Sequence, residues 1–278
     1  MDRHRWLALA CVALAAGLAT NALLGPLATG IIEYRYTETY ENQGIGLDAF
    51  ALAIGAPLLL AAAALTWRRH VAGPLLALGP SLMSAYMMPQ YVLGAHFDDL
   101  PGNNEDFFLL HLGLFILSAG VGVLAWTTVD ERRLPVASSR YRRYTGGLLF
   151  AVTVFLILRY LPALADIWRD NPSSEYLDDP IAFWLIAFMD LGIVMPVAAA
   201  GGIALLAGVA RARKVMFAVV TWFALVGPAV ASMAYAMDVN DDPNASRGGA
   251  IAFTAFSVSF VVVAMWIYRP LFRAHREA

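Results

Sequence analysis

Two ionisable residues stand where a membrane-crossing helix should carry none. Arg159 lies nine residues before Trp168, and Asp190 lies nine residues after Ile181, inside consecutive apolar stretches. An ionisable side chain within a span costs about 2.5–3.5 kcal/mol on insertion scales, so each demands a partner or a watered cavity. At about 1.5 Å of rise per residue, both sit about 14 Å below the same membrane surface. Opposite charge and equal depth predict a direct Arg159–Asp190 ion pair facing the bundle interior. Such a pair is either a lock between two helices or the centre of a proton or anionic-solute site.

Interrupted helices supply the next candidates. Gly79-Pro80 and Gly227-Pro228 both fall within apolar stretches, where proline lacks the amide, crowds the preceding turn and kinks the helix. Interruptions at corresponding places in two halves of a chain are a pointer to a transporter binding site. Pro80, Ser81, Ser84 and Tyr86 in the first half, with Pro228, Ser232 and Tyr235 in the second, are therefore the candidate pathway or pocket. The plain alternative is packing, because membrane helices use glycine, proline and serine freely at close contacts.

Metal chemistry has weaker support. Met83 with Met87 and Met233 with Met237 are each one turn apart, and with His96 and His111 they would suit copper(I), although methionine is also an ordinary core filler. His96, Asp98, Asp99 and His111, near Glu105 and Asp106, are the candidate ligands of a divalent ion. Their spacing matches no closed ligand motif. No cofactor is expected. The chain has no Walker loop, dinucleotide glycine fingerprint, nucleophile elbow or HExxH, and its one lysine, Lys214, lies at a span end, so no enzyme chemistry is recognisable.

The elements that must position these residues are membrane helices. Of 278 residues, 60% are hydrophobic and 14% charged, against roughly 45–50% and about 25% in soluble domains. That composition describes an integral membrane protein. A net charge of -2 and the single Cys11 exclude a nucleic-acid binder and a disulfide scaffold. Eight stretches have the roughly 20 apolar residues a span needs: 6–29, 47–67, 71–95, 107–129, 145–168, 181–209, 215–237 and 250–269. The fold predicted is an all-α bundle of about eight transmembrane helices.

Orientation follows from the basic residues. With the N-terminus inside, the inner segments hold 15 of the 19 Lys and Arg, including Arg68, Arg69, Arg211, Lys214 and Arg276, and the outer segments hold only Arg35, Arg169 and Arg247. Both termini are then cytoplasmic. Of the other histidines, His4, His70 and His275 lie at cytoplasmic ends. Glu33, Asp48, Asp98, Glu105, Asp179, Asp242 and further acids gather on the outer side, which would attract cations or basic partners. Tyr34, Tyr36 and Tyr40 among those acids suit a short cap over the bundle.

The two halves also resemble each other. Leu78-Gly79-Pro80-Ser81 through Met87 aligns with Val226-Gly227-Pro228-Ala229 through Met237, Asp98-Asp99 with Asp241-Asp242, and Asp48 with Pro57 corresponds to Asp190 with Pro196. Four spans per copy give a 4+4 parallel internal repeat, with residues 1–143 as the first four-helix copy plus its cytoplasmic linker and 144–278 as the second. The expected setting is the lipid bilayer of a bacterial cytoplasmic (inner) membrane, given the arginine-rich, alanine-rich usage. The expected role is a small-solute or ion transporter or permease. The rival is a non-transporting scaffold, sensor or accessory subunit that docks a protein partner at its acidic outer face. Substrate, coupling ion and oligomeric state have no signature in the sequence.

Overall fold

The computed structural model describes residues 2–134, 138–209 and 212–273. Arg211, His275 and Arg276 lie outside them. Among the described residues the chain is helical without strands. The long helices are α1 (Arg3–Leu24), α2 (Glu38–Trp67), α3 (Ala72–Leu93), α4 (Asn104–Thr128), α5 (Ser139–Trp168), α6 (Pro180–Leu206), α7 (Ala212–Val239) and α8 (Arg247–Arg273), with one short helix, Ser174–Asp178, between α5 and α6. Seven of the eight are long and apolar enough to cross a membrane, as in a multi-pass membrane protein. The exception is α3, predicted as the third span. Its 22 residues suffice in length, but Ser81, Ser84, Tyr86 and Gln90 dilute its hydropathy, and most of it is buried against other helices rather than facing lipid.

Two predicted boundaries move for local reasons. The first helix stops at Leu24, not 29, because Gly25-Pro26 opens a turn. The second begins at Glu38, nine residues before the predicted start, since Thr37 caps it by accepting the Tyr40 N–H. Its polar first turns, with Glu38, Glu41 and Asn42, do not read as membrane sequence. The connection expected over 30–46 therefore shrinks to 25–37.

That connection lies across one end of the bundle, here termed the cap end. Asn103 Oδ1 accepts the Glu33 N–H at 2.8 Å, Asn104 Oδ1 accepts the Arg35 N–H at 2.7 Å, and the Arg35 guanidinium grips both carboxylate oxygens of Glu105. Held this way, Tyr34, Tyr36 and Tyr40 turn inward and pack in sequence with tilted rings, their centroids 5.0 and 4.5 Å apart. Burial holds the Tyr34 and Tyr36 hydroxyls well above the usual phenol range, so both remain protonated donors.

Both α2 and α6 contain a π-helical turn, Ala51–Gly55 and Asp190–Val194, in which the N–H of Ala56 reaches Ala51 O and that of Met195 reaches Asp190 O. A proline follows after one intervening residue in each case, Pro57 and Pro196. Proline cannot donate to the preceding turn and crowds it, so the helix widens by one residue there. In the first half α1 packs on α2, α3 packs on α4, and α2–α3 and α1–α4 contacts close these pairs into a ring. In the second half α5 packs on α6 and α7 on α8 just as closely, but the two pairs meet only lightly.

The helix between the halves is α7, which packs against α2 and α3. Glycines admit it. A Cβ on Gly46 would stand 2.4 Å from Met233 Cα, and one on Gly79 would stand 2.3 Å from Thr221 Cγ2. Close approach of backbones is how membrane helices gain packing energy without a hydrophobic driving force, and the glycine of Gly79-Pro80 serves that contact.

Candidate functional site

The site is centred on Asp190, the first residue of the π-helical turn in α6. Asp190 Oδ1 accepts the Tyr86 hydroxyl of α3 at 2.8 Å, and Oδ2 accepts the Tyr160 hydroxyl of α5 at 2.7 Å. Arg159 is not its ion-pair partner. The predicted pair is replaced by Arg159 with Glu175, whose short helix, capped by Ser173, folds back beside the end of α5. The physical reason is desolvation. Two neutral hydroxyls satisfy the carboxylate without burying a cation, whereas the long arginine side chain extends to a partner that is itself more than half exposed.

Above this clasp lies a cavity of about 340 Å³ at the cap end, bounded by both halves: Thr37, Thr39 and Gln43 from the first, and Arg159, Tyr160 and Asp178 from the second. Its walls are set by two Asp-Pro turns that tie the start of α2 to the second half. In one, Asp179 caps α6 ahead of Pro180, accepting the Ala182 N–H at 2.8 Å, His96 Nε2 at 3.0 Å and the Thr37 hydroxyl at 3.1 Å. In the other, Asp242 accepts the Thr39 hydroxyl at 3.2 Å and Asn42 Nδ2 at 2.9 Å. Asn244 completes the rim, donating to Thr39 and Asp178. Tyr160 links this cavity to Asp190, because it lines the one and donates to the other.

A second carboxylate is held in a similar way. Asp48 on α2, fully buried at 0% exposure, accepts the Tyr34 hydroxyl at 2.6 Å, the Tyr91 hydroxyl at 2.7 Å and Asn21 Nδ2 at 3.3 Å. His111 Nε2 lies 3.0 Å from Asn21 Oδ1, and its ring stacks on Tyr91 at 5.2 Å. The sequence places Asp48 among the outer acids. Its position at the very start of the predicted 47–67 span and its correspondence to Asp190 are the signals that it enters the bundle.

The remaining candidates scatter. Ser81 and Ser84 are buried and bond back to Leu78 O and Pro80 O within α3. Pro80 is buried beside them. Pro228 lines a different, apolar cavity of about 760 Å³ between α2, α3, α7 and α8. Ser232 lies where the α7 backbone meets Gly46, and Tyr235 is 45% exposed, accepting from Thr254. The two Gly-Pro segments thus do not line one pathway; of that set only Tyr86 reaches Asp190.

The four metal candidates are likewise not brought together. His96 faces Asp179, His111 faces Asn21, and Asp98 and Asp99 are exposed on the turn after α3. Among the described residues no three His, Cys, Asp or Glu side chains gather where one ion could bind them.

Sequence reasoning missed Tyr34, Tyr91, Tyr160, Asn21 and Glu175 as partners. Tyr160 adjoins Arg159 in the chain, and that adjacency could have suggested it. No family model matches the chain, and neither a curated protein nor a solved structure matches it.

Proposed function

We propose that the chain is an eight-span protein of the cytoplasmic membrane, with both termini inside, that admits a small polar solute or ion from the outer side and acts as a transporter or permease. The observation that carries this reading is the polar cavity between the halves, which opens at the cap end and ends on Arg159 and on Tyr160, one hydrogen bond from Asp190. A concave site with a few converging polar groups is the usual form of a small-molecule site. The basic residues of the non-cap segments, against three arginines at the cap end, support the orientation.

Support for two parallel copies, 1–143 and 144–278, comes from three correspondences. The pairings α1 with α2 and α3 with α4 recur as α5 with α6 and α7 with α8. Each second helix carries a π-helical turn with a proline two residues past its end. A tyrosine-held carboxylate lies in or just before that turn in each copy. The scaffold reading gains less, since the cap-end acids Glu105, Asp179 and Asp242 are engaged within the molecule.

The test is a thermal-unfolding screen of the purified protein against small cations, anions and metabolites, repeated with Asp190→Asn and Arg159→Gln. A ligand at about 100 times its Kd stabilises by about 2.7 kcal/mol. A selective shift that is lost in both folded variants, followed by flux of the same compound into vesicles, is the expected result. A shift that persists in both variants would place the ligand elsewhere and remove the reading.

A further inference from the structure

The Asp48 cluster contains a hydrogen-bond chain that no single protonation state satisfies. Asp48 has no Lys or Arg within ion-pair reach among the described residues. The groups that face it are Asn21 from α1, Tyr34 and Tyr36 from the 25–37 segment, Tyr91 from α3 and, through Asn21, His111 from α4. The remaining neighbour, α7, meets α2 at Gly46 with the backbone of Ser232 and Met233 and brings no ionisable group to that crossing.

With the carboxylate ionised, all three donors point at it. Asn21 must then present Nδ2 to Asp48 and Oδ1 to His111, so His111 Nε2 carries a hydrogen. The other ring nitrogen, Nδ1, is buried and has no partner.

Three proton arrangements follow, and none is free of defect, since Nδ1 lacks a partner in all of them. An ionised Asp48 beside neutral His111 leaves a buried net charge, which is costly in a low-dielectric interior. An ionised Asp48 beside imidazolium neutralises that charge but leaves a buried Nδ1–H without an acceptor. A protonated Asp48 beside neutral His111 removes the net charge and the orphaned Nδ1–H but obliges one of the carboxyl's donors to turn away and leaves the Nδ1 lone pair unpartnered. A cluster balanced among such arrangements has no single favoured protonation state.

We propose that Asp48, Asn21 and His111 form a proton-binding site that holds one exchangeable proton, either on the Asp48 carboxyl or on His111 Nδ1. Loading takes a proton from water: a lone pair on the carboxylate oxygen or on Nδ1 forms the new bond, and hydroxide remains or hydronium is consumed. The site does not depend on the solute reading. If both hold, the proton is carried within the first half and the solute in the cavity between the halves.

Infrared difference spectra of the full chain in lipid, recorded as pH is stepped down, test this. The expected result is a protonated-carboxyl C=O band that titrates in the unaltered protein and in Asp190→Asn and is missing from Asp48→Asn. In His111→Gln the band persists, with its midpoint moved by about tenfold or more in proton concentration, because one of two coupled proton sites is gone. An unchanged titration in Asp48→Asn overturns the proposal. If that variant does not fold, an unmoved midpoint in His111→Gln overturns it instead.

Discussion

Asp48 and Asp190 are both carboxylates held by a pair of tyrosine hydroxyls, one on α2 and one on α6, yet their surroundings differ. Asp48 is sealed: the 25–37 segment lies over it, Asn21 adds a third donor, and its exposure is 0%. Asp190 is only partly buried, with two donors, one of which forms the wall of an open cavity. The difference arises from the helix pairs, which close into a ring in the first half and stay apart in the second. The same polar motif is enclosed by one packing arrangement and made reachable by the other.

The sharpest way to break this comparison is access. Cys11, the only cysteine, is buried at 0% exposure, so introduced thiols read against a quiet background. Thr39→Cys in the cavity wall is expected to react fully with a hydrophilic thiol reagent added outside intact cells, and Asn21→Cys beside Asp48 not at all. Equal labelling of the two would remove the distinction, and labelling of Thr39→Cys only after the membrane is opened would invert the proposed topology.

Stability gives the next contrast. Asp48→Ala leaves three buried donors without an acceptor and is expected to cost about 3–5 kcal/mol, whereas at Asp190→Ala water from the cavity can substitute and the cost is about 1–3 kcal/mol. Thermal unfolding in detergent measures both, and a reversed order would mean that the Asp190 site is the tighter one. Within each clasp, Tyr91→Phe is expected to cost about 1.5–3 kcal/mol and Tyr86→Phe about 1 kcal/mol. The smallest effect belongs to the exposed Arg159–Glu175 pair. Arg159→Gln is expected to change stability by less than about 1 kcal/mol, in keeping with pairs that water already screens; a larger loss would show that the arginine is structural rather than part of a binding surface.

What the sequence made legible divides along the same line. Helix number and class follow from apolar runs, and Asp190 is conspicuous because its run is otherwise apolar. The Pro57 and Pro196 correspondence points to the two widened turns. Asp48 is harder to see, because two polar helical turns precede it and make it look like loop sequence, although the Thr37 cap shows that the helix has already begun. The partner of Arg159 was out of reach for a related reason. Glu175 sits in what reads as a short loop, and nothing in the spacing says that Ser173 starts a helix folding back toward α5. The tyrosines carry no charge to mark their depth, so Tyr34 reads as an interfacial residue although it is buried.

One feature of α3 ties the two clasps together. Tyr86 and Tyr91 belong to the same helix, with Pro89 between them. Five residues place them about 7.5 Å apart along the axis and about 140° apart around it, so α3 is a strut anchored on two sides. As long as that strut stays rigid, the two tyrosine contacts are held in one fixed relation to each other. Proline is the weak point of the strut, since it removes a backbone bond between the two anchors. Where it bends, the grip on Asp190 can slacken while the grip on Asp48 holds.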